Sequence, residues 1–127
     1  MKILRLNEDL LSEFEIYDFS QISEKRVGLV GSAKFKDHFI KIESILQILH
    51  KKLVSICSLD GLINKEKFSS EEWEALQEIC IEKLKDQEAL LVIDVDEYIG
   101  DHTEEEIEYF AKKLKKPLYY LSKLKFK

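Results

Sequence analysis

Short apolar runs alternate along this chain with stretches in which apolar residues recur every three or four positions. The runs occupy residues 26–31, 53–57, 89–94 and 117–121. An apolar run of this length predicts a strand buried on both faces, whereas the three-and-four spacing predicts a helix with one buried side. The pattern therefore predicts four strands separated by helices.

Two of the predicted helices carry the same signal at their start. Ser69 and Glu72 form a capping-box pattern, in which the serine at the N-cap and the glutamate three residues later each bind the other's backbone N–H. Thr103 and Glu106 repeat the pattern before the third helix, which is predicted over residues 104–115. Thr103 is therefore predicted as the N-cap of that helix.

Alternating strands and helices predict a parallel sheet with right-handed crossovers, in the strand order 2-1-3-4 with helices on both faces. In the order 2-1-3-4, successive strands are added on one side of the first strand and then on the other, so the strand order reverses between the first and third strands. Ligands of such sheets bind in the crevice at that point, beyond the carboxyl ends of the strands. The predicted crevice lies between residues 31–34 and residues 94–106.

The α/β pattern covers residues 26–127 of a chain of 127 residues, a suitable length for one domain with a single core. Residues 1–25 precede this domain and are too apolar for a disordered tail. They are predicted to pack on the domain as an N-terminal extension. The sequence leaves open whether this extension is a short helix or an added edge strand.

Charge and composition narrow the possible partners. Charged residues make up 35% of the chain, with a net charge of −5, and the lysines cluster only near the C-terminus. This distribution predicts a solvated tail and no nucleic-acid partner. No apolar run approaches the ~20 residues of a membrane span and no signal peptide is recognisable, so a cytoplasmic protein without membrane contact is expected. Cys57 and Cys80 are expected to be reduced.

Glu106 has two interpretations that the sequence leaves open. In the first it serves only as the capping-box partner of Thr103. In the second, its position in the first helical turn keeps the carboxylate ionised in the positive end of the helix dipole and directs it at the crevice. A carboxylate placed in this way can attack the anomeric carbon of a sugar.

The opposite side of the predicted crevice is the turn Gly31-Ser32-Ala33-Lys34. A glycine at this point leaves room for a ligand, and the N–H groups that open the next helix can hold a phosphate. The turn has neither a Walker A nor a dinucleotide-binding pattern, and a simple strand-to-helix connection is the alternative interpretation.

Acidic residues crowd the loop after the third strand, at Asp94, Asp96, Glu97 and Asp101. Paired carboxylates in this position hold Mg²⁺ in phosphoryl-transfer enzymes, although loop acids are usually only solvated. A calcium-binding loop is excluded, because Ile99 stands where that loop needs glycine. No metal ion or organic cofactor is expected.

Several segments occur together in a characteristic order between residues 26 and 122. They are Val27-Gly28-Leu29-Val30-Gly31-Ser32, Leu91-Val92-Ile93-Asp94, Tyr98-Ile99-Gly100, Thr103-x-x-Glu106-Ile107-x-Tyr109 and Lys116-Pro117-Leu118-Tyr119-Tyr120-Leu121. Taken together, this set resembles the nucleoside 2-deoxyribosyltransferase-like proteins. The resemblance implies a small, three-layer, flavodoxin-like α/β domain.

The resemblance also implies a function, that of a nucleoside or nucleotide N-glycosidase or deoxyribosyltransferase. Glu106 would be the nucleophile that attacks C1′, and Asp101, or else Asp96, would assist departure of the base. The implied ligand-binding residues are Gly31, Ser32, Lys34, Asp96, Tyr98, Gly100 and Thr103. A homodimer is implied by the family only. The alternative is a domain of the same fold that senses a nucleotide or binds a protein and has no catalytic activity.

Overall fold

A parallel four-stranded sheet forms the centre of the molecule. The computed structural model describes residues 12–56 and 65–126. The strands are β1 (Arg26–Gly31), β2 (Leu53–Ile56), β3 (Ala89–Ile93) and β4 (Leu118–Tyr120). They are paired in parallel in the order β2-β1-β3-β4, which confirms the predicted topology.

Helices cover both faces of the sheet, giving three layers. They are α1 (Lys36–His50), α2 (Ser70–Lys85) and α3 (Asp101–Glu108), the last of which continues as a π-helical segment, Tyr109–Leu114. Every residue of β3 is buried, and its side chains alternate between two cores. Leu91 and Ile93 pack in the core with α1, whereas Leu90 and Val92 pack in the core with α2 and Phe110.

The described part of the N-terminal segment packs against α1 and the C-terminal tail. Phe14, Phe19 and Ile22 are buried in the core on the α1 side. An isolated antiparallel bridge joins Tyr17 to Lys125. Residues 12–25 therefore contribute side chains to the core without adding a strand to the sheet. The prediction for residues 1–11 concerns a segment outside the described residues.

The start of α2 follows the sequence prediction. Ser69 is the N-cap, and its hydroxyl accepts a hydrogen bond from the backbone N–H of Glu72 at 3.2 Å. The carboxyl of Glu72 accepts a hydrogen bond from the backbone N–H of Ser69 at 2.8 Å. The capping box predicted from this pair is confirmed, and both side chains are exposed.

Candidate functional site

The turn after β1 is closely packed. A Cβ atom added to Gly31 would lie 2.9 Å from the carbonyl oxygen of Ile93 on the neighbouring strand. Glycine is required here because two strands approach each other, which accounts for the residue without a ligand. Ser32 then closes the turn, since its carbonyl oxygen accepts a hydrogen bond from the N–H of Phe35 at 3.0 Å and its hydroxyl accepts one from the N–H of Lys34 at 3.4 Å.

Two of the predicted ligand-binding side chains contact each other across the crevice. The Nζ atom of Lys34 lies 3.3 Å from the centre of the Tyr98 ring, and Phe35 meets the same ring edge-on at 6.0 Å. A cation above an aromatic face is attracted by the negative charge density of the ring. The loops after β1 and β3 are therefore joined at the top of the sheet, where the crevice was expected.

Helix α3 begins earlier than the sequence predicts. Its N-cap is Gly100, whose carbonyl oxygen accepts a hydrogen bond from the N–H of Glu104 at 3.0 Å. The prediction that Thr103 is the N-cap is wrong. Thr103 is the third residue of the helix and is 2% exposed, so burial of its side chain prevails over its capping preference.

Because the N-cap is Gly100, Glu106 does not occupy the capping-box position of α3. One of its oxygens, Oε2, lies 3.0 Å from the sulfur of Cys80 on α2. The structure holds Cys80 in a disulfide, which corrects the expectation of a reduced cysteine; Cys57 lies outside the described residues. A disulfide sulfur carries no hydrogen, so this contact supplies no donor to an ionised carboxylate.

Burial of Glu106 raises its pKa to about 7, and the nearby charge of Glu105 adds to the effect. The expectation that the helix dipole keeps this carboxylate ionised is therefore wrong. Glu106 is the sixth residue of α3, beyond the first turn in which the dipole acts, and the cost of removing the charge from water dominates. A carboxyl group that titrates near neutral pH is a candidate for proton transfer or for nucleophilic attack.

Asp101 and Glu106 occupy different sides of the same helix. Asp101 is the first residue of α3 and is exposed. Residues five apart in an α-helix are rotated by about 140° and separated by about 7.5 Å along the axis. The helix itself therefore does not bring these two carboxylates face to face.

The acids after β3 fall into two groups. Asp94 is 3% exposed, and its two carboxylate oxygens accept hydrogen bonds from the N–H and the hydroxyl of Ser122, at 2.9 and 2.7 Å. Asp96 and Glu97 are exposed and have positive φ angles of 55° and 62°. Within residues 12–56 and 65–126 no group of three His, Cys, Asp or Glu side chains is arranged to hold a metal ion.

A cavity of about 410 Å³ lies beside Asp94. We call it the strand-end cavity; its lining consists of Tyr17, Asp94, Val95, Asp96, Glu97, Ser122 and Lys125. Of these residues, sequence reasoning selected the acids but missed Tyr17, Ser122 and Lys125. They come from the two ends of the chain, and no local pattern signals that such distant segments meet. Glu106 does not line this cavity.

No protein-family model, curated protein or solved structure matches this chain. Among the described helices, none is long and apolar enough to cross a membrane.

Proposed function

We propose that this domain acts on a nucleoside or nucleotide as an N-glycosidase or deoxyribosyltransferase, with Glu106 as its reacting carboxyl group. The observation that carries the proposal is the environment of Glu106. Its carboxyl contacts α2 at Cys80 and has a pKa of about 7. Helix capping, the ordinary explanation for a glutamate in this position, does not apply, because α3 is capped at Gly100.

The chemistry follows from the two protonation states of this group. Because its pKa is about 7, Glu106 is present near neutral pH both as the neutral acid and as the carboxylate, which can attack C1′ of the sugar. A C1′–oxygen bond then forms, the bond from C1′ to the base nitrogen breaks, and the base leaves with the electron pair and takes up a proton. Water or a second base releases the sugar from the resulting ester, giving hydrolysis or transfer respectively.

A proton for the departing base needs a donor, and the sequence offers Asp101 or Asp96. Both are exposed and lie near the carboxyl end of β3. Asp96 belongs to the loop directly after that strand, whereas Asp101 points away from the helix side that carries Glu106 by about 140°. Replacing each aspartate by asparagine separately identifies which of them assists base departure.

The second candidate function is a nucleotide-sensing or protein-interaction domain without turnover. The contact between Lys34 and the Tyr98 ring favours this second function. Lys34 and Tyr98 are two of the predicted ligand-binding residues, and in the structure they already contact each other at the crevice. A ligand that enters there has to displace this contact. Stabilisation against heat by nucleosides or nucleotides without release of base would identify this function.

A base-release assay tests the leading proposal. The protein is incubated with a panel of ribo- and deoxyribonucleosides and their monophosphates, with and without an acceptor base, and the products are separated by chromatography. The expected result is release or exchange of at least one base, lost in Glu106→Gln. Glu104→Gln, which changes an exposed glutamate on the same helix, is the matched control and should remain active.

The pH dependence distinguishes the two possible roles of the carboxyl. If Glu106 attacks as the carboxylate, kcat/KM rises as the pH increases through about 7 and then levels off. If it donates a proton instead, kcat/KM falls over the same range. Absence of base release from every member of the panel at any pH between 5 and 9 contradicts the enzymatic proposal.

A further inference from the structure

The strand-end cavity is lined by residues from three separate segments of the chain, which hydrogen bonds hold together. Asp94, which lines it, follows β3 directly, and Ser122, which donates hydrogen bonds to both oxygens of Asp94, lies two residues after the end of β4. Tyr17 also lines the cavity and is held by its bridge to Lys125 and by the adjacent hydrogen bond from the N–H of Asp18 to the carbonyl oxygen of Leu124 at 2.7 Å. Three separate segments of the chain thus converge on one polar space.

The lining combines hydrogen-bond acceptors with donors. The carboxylates of Asp94, Asp96 and Glu97 accept, and the ammonium group of Lys125 donates. Burial, and after it the charges of Asp94 and Asp96, raise the pKa of the Tyr17 hydroxyl, which therefore keeps its proton and can also donate. The Tyr17 ring and Val95 supply the apolar part of the lining.

This combination excludes several classes of ligand. Three carboxylates around one ammonium group repel phosphates and other anions. An apolar molecule would leave these polar groups without hydrogen bonds, which is unfavourable. A neutral molecule with several hydroxyl groups satisfies both kinds of partner, because each hydroxyl can donate to a carboxylate and accept from Lys125 or Tyr17.

We propose that the strand-end cavity binds a neutral, polyhydroxylated ligand of roughly monosaccharide size, either a free sugar or the sugar of a nucleoside. The volume of about 410 Å³ falls within the range of small-molecule pockets, and the carboxyl ends of parallel strands are the usual place for such pockets. Glu106 lies outside the cavity, so binding there does not require this carboxyl group; Asp96, which lines the cavity, is also one of the two candidate proton donors of the proposed function.

Binding is measured by titrating the ¹⁵N-labelled full chain with D-ribose, D-glucose, adenosine and ribose 5-phosphate, and following the backbone amide signals. The expected result is saturable binding of at least one uncharged probe, with shifts centred on Tyr17, Ser122 and Lys125. Ribose 5-phosphate binds more weakly than ribose. Binding of adenosine but not of the free sugars identifies the nucleoside as the source of the sugar.

Two conservative variants test the contacts. Tyr17→Phe removes one hydroxyl, and Asp96→Asn removes one charge at a position whose left-handed backbone asparagine tolerates. Each should weaken binding about tenfold, the effect of one good hydrogen bond. Asp86→Asn, which changes an exposed acid outside the cavity, is the matched control and leaves the affinity unchanged.

Three results would overturn the inference: no saturable shift with any probe, tighter binding of ribose 5-phosphate than of ribose, or unchanged affinity in both cavity variants. Assaying the parent protein for both properties separates this inference from the proposed function. Saturable binding of the uncharged probe by a parent protein that releases no base leaves the sugar site standing and removes the glycosidase.

Discussion

The pattern Ser/Thr-x-x-Glu occurs near the starts of α2 and α3, and it forms a capping box in α2 but not in α3. At Ser69 and Glu72 both capping hydrogen bonds form, and both side chains remain at the surface. At Thr103 the helix has already begun, the threonine is buried, and Glu106 lies against α2. The same local preference therefore succeeds at an exposed helix start and fails where packing against the core competes with it.

The difference has an energetic consequence for the two glutamates. Glu72 gains a hydrogen bond from its position and remains in water. Glu106 gains no capping bond, and its burial makes the charged form unfavourable, as its raised pKa shows. A buried carboxyl group with a raised pKa is a reasonable place to look for function.

The largest expected effect comes from making the same substitution at both sites. Glu106 ionises near pH 7 in the folded chain, against an ordinary value of 4.5. Between these pH values the folded state binds more protons, so the free energy of unfolding falls as the pH rises, by about 3 kcal/mol for this group. Glu106→Gln removes the titration and should become more stable than the parent protein by up to about 3 kcal/mol at pH 8.

Urea unfolding of the variant and the parent at pH 4.5 and pH 8 measures this effect. The free energy of unfolding of the variant minus that of the parent should be larger at pH 8 than at pH 4.5. Glu72→Gln is the control, because glutamine also completes a capping box, and its stability difference should be close to zero at both pH values. Parallel pH dependences for the parent and Glu106→Gln would show that Glu106 ionises normally.

A smaller effect is expected from removing the cap that works. Ser69→Ala deletes the hydroxyl that accepts the N–H of Glu72, and loss of an N-cap side chain costs about 1 kcal/mol. The loss should be the same at pH 4.5 and pH 8, in contrast to the Glu106 variant. Chemical unfolding monitored by circular dichroism measures it, and a free energy of unfolding equal to that of the parent would contradict the assigned cap.

The smallest effect is expected from adding a cap to α3. Gly100 has φ −77° and ψ 163°, which other residues adopt readily, and a Cβ atom there would lie no closer than 3.9 Å to its neighbours. Gly100→Ser should raise the free energy of unfolding by a few tenths of a kcal/mol by supplying a side-chain cap. Differential scanning calorimetry resolves such a change, and destabilisation would place the helix start elsewhere.

The sheet could be predicted from the sequence because its signals are local. The apolar runs and the helices between them determine a parallel sheet of order 2-1-3-4, and β1 and β3 lie where these runs occur. The start of α3 could not be predicted, since the burial of Thr103 depends on packing formed only in the folded molecule. The electrostatics of Glu106 could not be predicted either, because its contact with α2 is not encoded next to it in the chain.

The hydrogen bonds between Asp94 and Ser122 also determine the alignment of the last strand. β4 has only three residues, so few side chains are available to specify its register. A shift by one residue would carry Ser122 away from Asp94 and leave a buried charge without either of its two donors. The position of β4 beside β3 is therefore supported by two hydrogen bonds to the Asp94 carboxylate, a group that lies outside both strands.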